Sequence, residues 1–332
     1  MKIISKYDIL YGNNLTERGN MENYQECLQK IQDEVNSIIK GKESIVRKVL
    51  AAILAEGHIL MEDIPGVGKT TLATTFAKAL SLDYHRVQFT PDVLPSDLLG
   101  FSMYNSKTND FEFRNGSIFC NLFLADEINR TSPKTQSALL EVMEERQASV
   151  EGQTRKLPSP FIVIATQNPS GSSGTQNLPE SQMDRFMICI SMGYPAHSDA
   201  VSILKNEVWT HLDSVKSVVT LEEIKELQAA AEKVYMHEEL YDYIISIVET
   251  TRINELFSSG ASPRASIAML RMARAIALIN GRDFVTAEDI QNVAQDVLGH
   301  RVKISTRAKA EGRNMNDCIS AMIRTVKVPR NS

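Results

Sequence analysis

Cysteine is scarce in this sequence and follows no pattern. Cys27, Cys120, Cys189 and Cys318 are scattered, with no Cys-x-x-Cys spacing. That excludes the common zinc frameworks and any paired disulfide scaffold, and it fits a reducing cytoplasm. The histidines form no His-Glu-x-x-His pattern, which removes the usual zinc-protease reading. Long apolar runs are missing too: the longest, Val49 to Ala55, is far below the ~20 residues of a spanning helix, so no membrane insertion is expected. The first twenty residues mix charge with polarity and lack the apolar centre and cleavage site of a secretory signal. Segment 1–22 reads as a flexible extension. Basic charge is not in excess, since the formal net charge is -5 and the pI is about 5.8. A broad phosphate-neutralising surface, and with it a nucleic-acid partner, is therefore not expected.

What is present is a chain of 332 residues with 43% hydrophobic content, enough for about two domains with ordinary cores. From Asn23 to Ala55 apolar residues recur at helical intervals, broken at Lys40-Gly41-Lys42, and predict two helices. Gly57 to Met61 is a short strand, followed by a Pro/Gly turn and a helix from Thr70 to Leu80. Four further runs have the composition of buried parallel strands: His85 to Phe89, Asn121 to Ala125, Phe161 to Thr166 and Arg185 to Ser191. Strands alternating with helices predict a doubly wound α/β sheet. Beyond Pro195 only helices are expected. Two of them open on capping boxes, Thr220-Leu-Glu-Glu223 and Thr286-Ala-Glu-Asp289. The boundary falls between Pro195 and Thr220, dividing a core over 23–200 from a helical domain over 201–332. Ser170 to Gly174 is the one low-complexity loop.

Asp63-Ile-Pro-Gly-Val-Gly-Lys-Thr70 matches the phosphate-binding pattern G-x-x-x-x-G-K-[ST] everywhere except its first position, where Asp63 stands for glycine. A strand precedes it and a helix follows, so backbone N–H groups of Gly66 to Thr70 can wrap phosphates at a helix N-terminus. Lys69 would reach the β and γ phosphates, and Thr70 would ligate Mg²⁺. The bland alternative is a Gly/Pro turn that happens to end in Gly-Lys-Thr. Leu122-Phe-Leu-Ala-Asp-Glu127 is an apolar strand ending in two carboxylates. Asp126 would hold the Mg²⁺ shell, and Glu127 would orient and deprotonate the attacking water; an exposed acidic strand end is the alternative.

Further strings then carry a family resemblance. Asp126-Glu-Ile-Asn-Arg130, Gln88-Phe-Thr-Pro-Asp92 with Pro95-Ser-Asp97, Ala165-Thr-Gln-Asn-Pro169, Leu178-Pro-Glu-Ser-Gln-Met-Asp-Arg-Phe186, Gly260-Ala-Ser-Pro-Arg-Ala265 and Gly281-Arg-Asp-Phe-Val-Thr286 together resemble the MoxR-type AAA+ ATPases. The resemblance covers about Asn23 to Arg301. It implies a three-layer αβα P-loop core with a parallel sheet, followed by an all-helical lid. It implies a nucleotide site, for ATP or ADP with Mg²⁺, made of Gly41, Pro65, Gly66, Val67, Gly68, Lys69, Thr70 and Thr71, with Thr70 and Asp126 toward the metal. Asn168 would be sensor 1, unless it only ends its strand before Pro169. Arg185 resembles an arginine finger acting on a neighbouring subunit, or else pairs with Asp184 or Glu180. Arg264 resembles sensor 2, or is a solvated arginine at a helix start. Arg130 either faces a neighbour or is exposed on a polar turn. Phe101 to Gly116 resembles the helix-2 insert with its hairpin. Ser117 stands where the family pattern has proline, and Glu144 with Glu145 reads as a solvated helix face.

The implied function is ATP hydrolysis in a homo-hexameric ring. It would drive chaperone-like remodelling of partner proteins, including ones with von Willebrand factor A domains that carry a metal site. A P-loop kinase or monomeric NTPase, and a DNA-acting motor, are the rival classes.

Overall fold

The computed structural model describes residues 6–64, 66–168, 178–195, 197–198, 201 and 209–329, with the side chains of 6–20 and 209–211 excepted. Pro65 and the Ser170–Gly174 loop therefore lie outside the described residues. In chain order the strands of the core are β1 (Ile59–Glu62), β2 (Tyr84–Gln88), β3 (Gly100–Asn105), β4 (Asp110–Asn115), β5 (Leu122–Asp126), β6 (Gln147–Val150), β7 (Gln153–Lys156), β8 (Ile162–Gln167) and β9 (Ile188–Ile190). Five of them form one parallel sheet in the order β2-β5-β8-β1-β9. β1 has strands on both sides, and the chain crosses from one side to the other around it. Such a switch point, at the carboxyl ends of the strands, is where open α/β sheets bind ligands.

Period-2 alternation assigns the two faces of the sheet. Ile59, Met61, Leu122, Leu124, Ile162 and Ile164 point into one cluster, whereas Leu60, Phe123, Ala125, Val163 and Ala165 point into the other. The first cluster is covered by the helices α1 (Lys6–Ile38), α2 (Glu43–Leu54) and α3 (Lys69–Ala79), the second by α4 (Pro95–Leu99) and α5 (Pro133–Glu145). The three inner strands β5, β8 and β1 are apolar on both faces, as burial on both sides requires. The run His85 to Phe89, expected to be a buried strand, is instead the edge strand. Its His85, Arg86 and Gln88 are exposed, because a sheet edge leaves room for polar side chains.

Helix α1 reaches back to Lys6, so segment 1–22, expected to be a loose extension, is helical from that point; Met21 and Tyr24 pack against the first cluster. The Phe101–Gly116 segment forms the antiparallel hairpin β3–β4. A second hairpin, β6–β7, turns at Glu151 and Gly152, both at positive φ.

Beyond the core, helices span Leu221–Lys233, Glu238–Ile253, Pro263–Ile279, Ala287–Leu298, Thr306–Ala310 and Met315–Ile323. Both capping boxes form. Thr220 Oγ1 and Thr286 Oγ1 accept from the third helical N–H, and the Glu223 and Asp289 carboxylates accept from the capping residues' own N–H. A short antiparallel pair, Phe257–Ser259 with Lys303–Ile304, accompanies these helices and is too brief to show any periodicity. The helical part shares the first cluster with α1 and α2, and polar and charged contacts join it to the core. Lys48 pairs with Asp296 at 2.9 Å, and Gln228 donates to Ile53 O at 2.8 Å. Arg301, with 2% side-chain exposure, donates to Asp184 and to the carbonyls of Phe186 and Met187. A guanidinium so deeply buried is tolerable only because its donors are so fully matched.

Candidate active site

β1 leads into a turn with Gly66 at φ 86° and Gly68 at φ 95°, and α3 begins directly at Lys69. A side chain would strain both left-handed positions, which is the local reason for glycine there. Val67, Thr70 and Thr71 complete this first turn at the carboxyl edge of the sheet. Lys69 is buried, and its Nζ donates to Asp63 O at 2.7 Å and Ile64 O at 3.4 Å. Burial holds the ammonium below its ordinary pKa, opposed by the charges of Asp63, Asp126 and Glu127. Gly41, at φ 68°, makes the turn between α1 and α2. Its neighbour Lys42 donates to Met192 O and Tyr194 O, and the Met192 side chain would lie 3.9 Å from a Cβ on Gly68.

β5 delivers the two carboxylates. Asp126 is buried; its Oδ1 accepts from Thr166 Oγ1 at 2.7 Å and its Oδ2 from Arg86 Nη2 at 2.8 Å. Glu127 occupies the left-handed region at φ 59°, an uncommon conformation for a residue with a side chain. Its N–H donates to Thr166 Oγ1 at 2.8 Å, so one threonine on β8 ties down both acids. The Glu127 carboxylate then accepts from Asn168 Nδ2 at 3.0 Å and Arg130 Nη1 at 2.9 Å. Burial pushes its pKa up, but the hydrogen bonds from Arg130 and Asn168 and the arginine's charge outweigh that and hold it below the usual value. Arg130 thus has a partner three residues away in its own chain. Asn129, buried in the same turn, donates to Asn168 O at 3.3 Å.

Arg185 and Arg264 form a separate group. Arg185 Nη1 donates to Leu140 O at 2.5 Å and its Nε lies 3.9 Å from Glu144. Arg264 Nη2 donates to the same Glu144 at 2.8 Å and also faces Asp184 at 4.0 Å. Neither arm of the simple pairing considered for Arg185 is seen: Asp184 is taken by Ser262 and Arg301, and Glu180 by Lys303. Glu144, expected to be merely solvated, is the shared counter-ion of both arginines. The helix-start alternative for Arg264 is half right. Its N–H donates to the capping Ser262 at 3.1 Å, and the guanidinium reaches across to the core.

Lys69, Asp126, Glu127 and Asn168 therefore come together, with Thr70 at the same helix start, whereas Arg185 and Arg264 come together elsewhere. Arg86, Thr166, Asp63 and Glu144 are site residues that sequence reasoning does not assign. Thr166 lies inside Ala165-Thr-Gln-Asn-Pro169 and Asp63 opens the phosphate-binding motif, whereas Arg86 and Glu144 carry no signal of such a role.

A model of the ATPase family associated with various cellular activities (AAA) matches residues 58–188, and one of the AAA lid domain matches residues 249–321. The chain is 44% identical over 309 residues to the uncharacterized protein YeaC of Bacillus subtilis, covering 93% of this chain and 97% of that one. It is 38% identical over 312 residues to Chaperone MoxR1 of Mycobacterium tuberculosis, covering 91% and 82%. A crystal structure of a candidate ATPase from Cytophaga hutchinsonii superposes with a TM-score of 0.88 at 37% identity, covering 97% of this chain and 100% of that one.

Proposed function

The chain belongs to the MoxR family of AAA+ ATPases, and from that premise we propose that it hydrolyses Mg·ATP in a ring of copies to drive chaperone-like remodelling of partner proteins. The observation that carries the reading is the meeting of Lys69, Asp126, Glu127 and Asn168, contributed by the exits of β1, β5 and β8, at one edge of the sheet.

Each group has a task that its chemistry suits. The N–H groups of Gly66 to Thr71 and the dipole of α3 receive the phosphates. Lys69 exchanges its carbonyl acceptors for phosphate oxygens, a stronger charge-assisted bond. Thr70 and Asp126 offer the hard oxygen donors that Mg²⁺ prefers, and an ion bound by them would neutralise phosphate charge. Glu127, a carboxylate that Arg130 and Asn168 hold in place by hydrogen bonds, is the group that accepts a proton from the attacking water. Asn168, already bonded to Glu127, orients that water through an amide that does not titrate.

Arg185 and Arg264 sit together, part-exposed, on Glu144 rather than among the groups around Lys69. That placement favours their use on the nucleotide of an adjoining copy. A homo-hexamer acting in the cytoplasm is the assembly proposed, with von Willebrand factor A domain proteins as the first partner class to test. No helix among the described residues is long and apolar enough to cross a membrane.

The deciding experiment is ATPase activity per subunit against protein concentration, for wild type and Arg185→Ala. A rise with concentration that vanishes in the variant is expected. A monomer by light scattering with undiminished variant activity would replace the ring by a monomeric NTPase or kinase. Stimulation by DNA would point to a DNA motor.

A further inference from the structure

The departure at the first position of the phosphate loop has a structural use. Asp63 is buried, at 6% exposure, immediately after β1. Its Oδ2 accepts the N–H of Met192 in a short hydrogen bond and the N–H of Gly193 at 3.1 Å. Gly193 lies at φ 61°. Two successive N–H groups converging at a left-handed residue make a backbone nest, a concavity that selects an anion. Here the anion is the Asp63 carboxylate. Glycine, the usual residue at this position of the motif, has no side chain to fill it.

The nested segment follows β9 and is where the chain leaves the sheet toward the lid. It is gripped from its other side as well, because Lys42 donates to Met192 O at 2.5 Å and to Tyr194 O at 2.9 Å. Asp63 also faces the phosphate-binding machinery: its own carbonyl is the 2.7 Å acceptor of Lys69 Nζ, and its N–H donates to Gln167 O at 3.2 Å. One residue thus touches the catalytic lysine through its backbone and the core's exit segment through its side chain.

We propose that Asp63 is a positioning residue that ties the phosphate loop to the Met192–Tyr194 segment, so that the occupancy of the loop is transmitted to the start of the link to the lid. It touches neither phosphate nor water itself. When Lys69 turns from the Asp63 carbonyl to a phosphate oxygen, the contact that changes is the one next to the carboxylate holding the segment. The proposal rests on the nucleotide-binding reading above for its function, though the anchor itself does not.

The test is amide hydrogen exchange of the full chain, followed in the peptide covering 189–195, with and without Mg·ADP. Nucleotide affinity is measured in parallel by equilibrium titration. In wild type, nucleotide should slow exchange in this peptide. Asp63→Gly, which loses both charge-assisted hydrogen bonds, should exchange there at least about tenfold faster without nucleotide and should lose the response to nucleotide. Asp63→Asn keeps an oxygen that can accept both N–H groups and should retain most of the protection. Lys42→Met loosens the same segment but leaves the Asp63 hydrogen bonds in place, so it should speed exchange and still respond to nucleotide. If the glycine variant folds poorly, Asp63→Ala removes the carboxylate without adding a glycine and makes the same test. Wild-type exchange in the variant that lacks the carboxylate would overturn the anchor. A segment without the carboxylate that still responds fully to nucleotide would overturn the transmission. Wild type that binds no nucleotide would instead defeat the ATPase reading, with the nucleotide-free exchange rates still deciding the anchor.

Discussion

Arg264 Nη2 lies 2.8 Å from Glu144 Oε1, a contact between the first turn of a lid helix and the end of α5 in the core. The same carboxylate faces Arg185 at 3.9 Å. Two guanidiniums converging on one acid would repel each other without it, and Asp184, on the adjoining turn, adds further negative charge beside Arg264. The pair is therefore a unit whose members should not be expected to act independently.

Arg185→Ala and Arg264→Ala should each keep nucleotide affinity while losing turnover, by up to about 10³- to 10⁵-fold for a group that stabilises transition-state charge. Mixed with Lys69→Ala, either variant should recover part of its activity, because the defective groups then lie in different copies. Absence of recovery at every mixing ratio would count against supply from a neighbour.

Lys69→Ala and Glu127→Gln should separate binding from chemistry. The lysine variant should bind ATP roughly 10- to 100-fold more weakly, the cost of one hydrogen bond to a charged group. The glutamine variant should bind normally and turn over about 10²- to 10⁴-fold more slowly. Equilibrium nucleotide titration beside a phosphate-release assay checks both. Normal turnover by Glu127→Gln would remove it as the base.

Two buried histidines predict a pH dependence of stability. His58 accepts from Val163 N–H at Nδ1 and bonds Met143 O through Nε2, each at 3.0 Å, a pattern only the neutral ring satisfies. Burial pushes its pKa down to about 4, and burial with the charge of Arg301 pushes that of His300 to about 3. The unfolded chain takes up these protons first. Stability is therefore full above the ordinary value of 6.5 and falls as pH drops toward the folded values, by up to about 1.4 kcal/mol per pH unit for each histidine. Thermal midpoints measured from neutral to mildly acid pH should fall, and less steeply in His58→Gln. An unchanged slope in that variant would exclude His58.

Gly116→Ala should destabilise the hairpin junction. A Cβ there would lie 2.0 Å from Leu98 O and 2.4 Å from Gly100 N, both backbone atoms that cannot swing aside. Overpacking of this kind costs about 1–3 kcal/mol, or roughly 2–4 °C in Tm for each kcal/mol in a chain of this size. A melting curve superimposable on wild type would show that the junction yields freely.

The chemistry at the strand ends was legible in the sequence because its constraints are local. Glycines at positive φ, a lysine opening a helix and an apolar strand ending in Asp126-Glu127 are all set within a few residues, and the two capping boxes are equally short-range. Continuous apolar runs likewise mark the inner strands, whereas the exposure of the edge strand is set by its neighbours and not by its own composition. Tertiary structure decided the rest. It set Asp63 in a nest 129 residues away, bound Arg264 to Glu144 across 120 residues and buried Arg301 against Asp184 across 117. No spacing along the chain encodes such pairs. A carboxylate's partner depends on which surfaces burial brings together, and that is settled only when the sheet, the helices over it and the lid share one core.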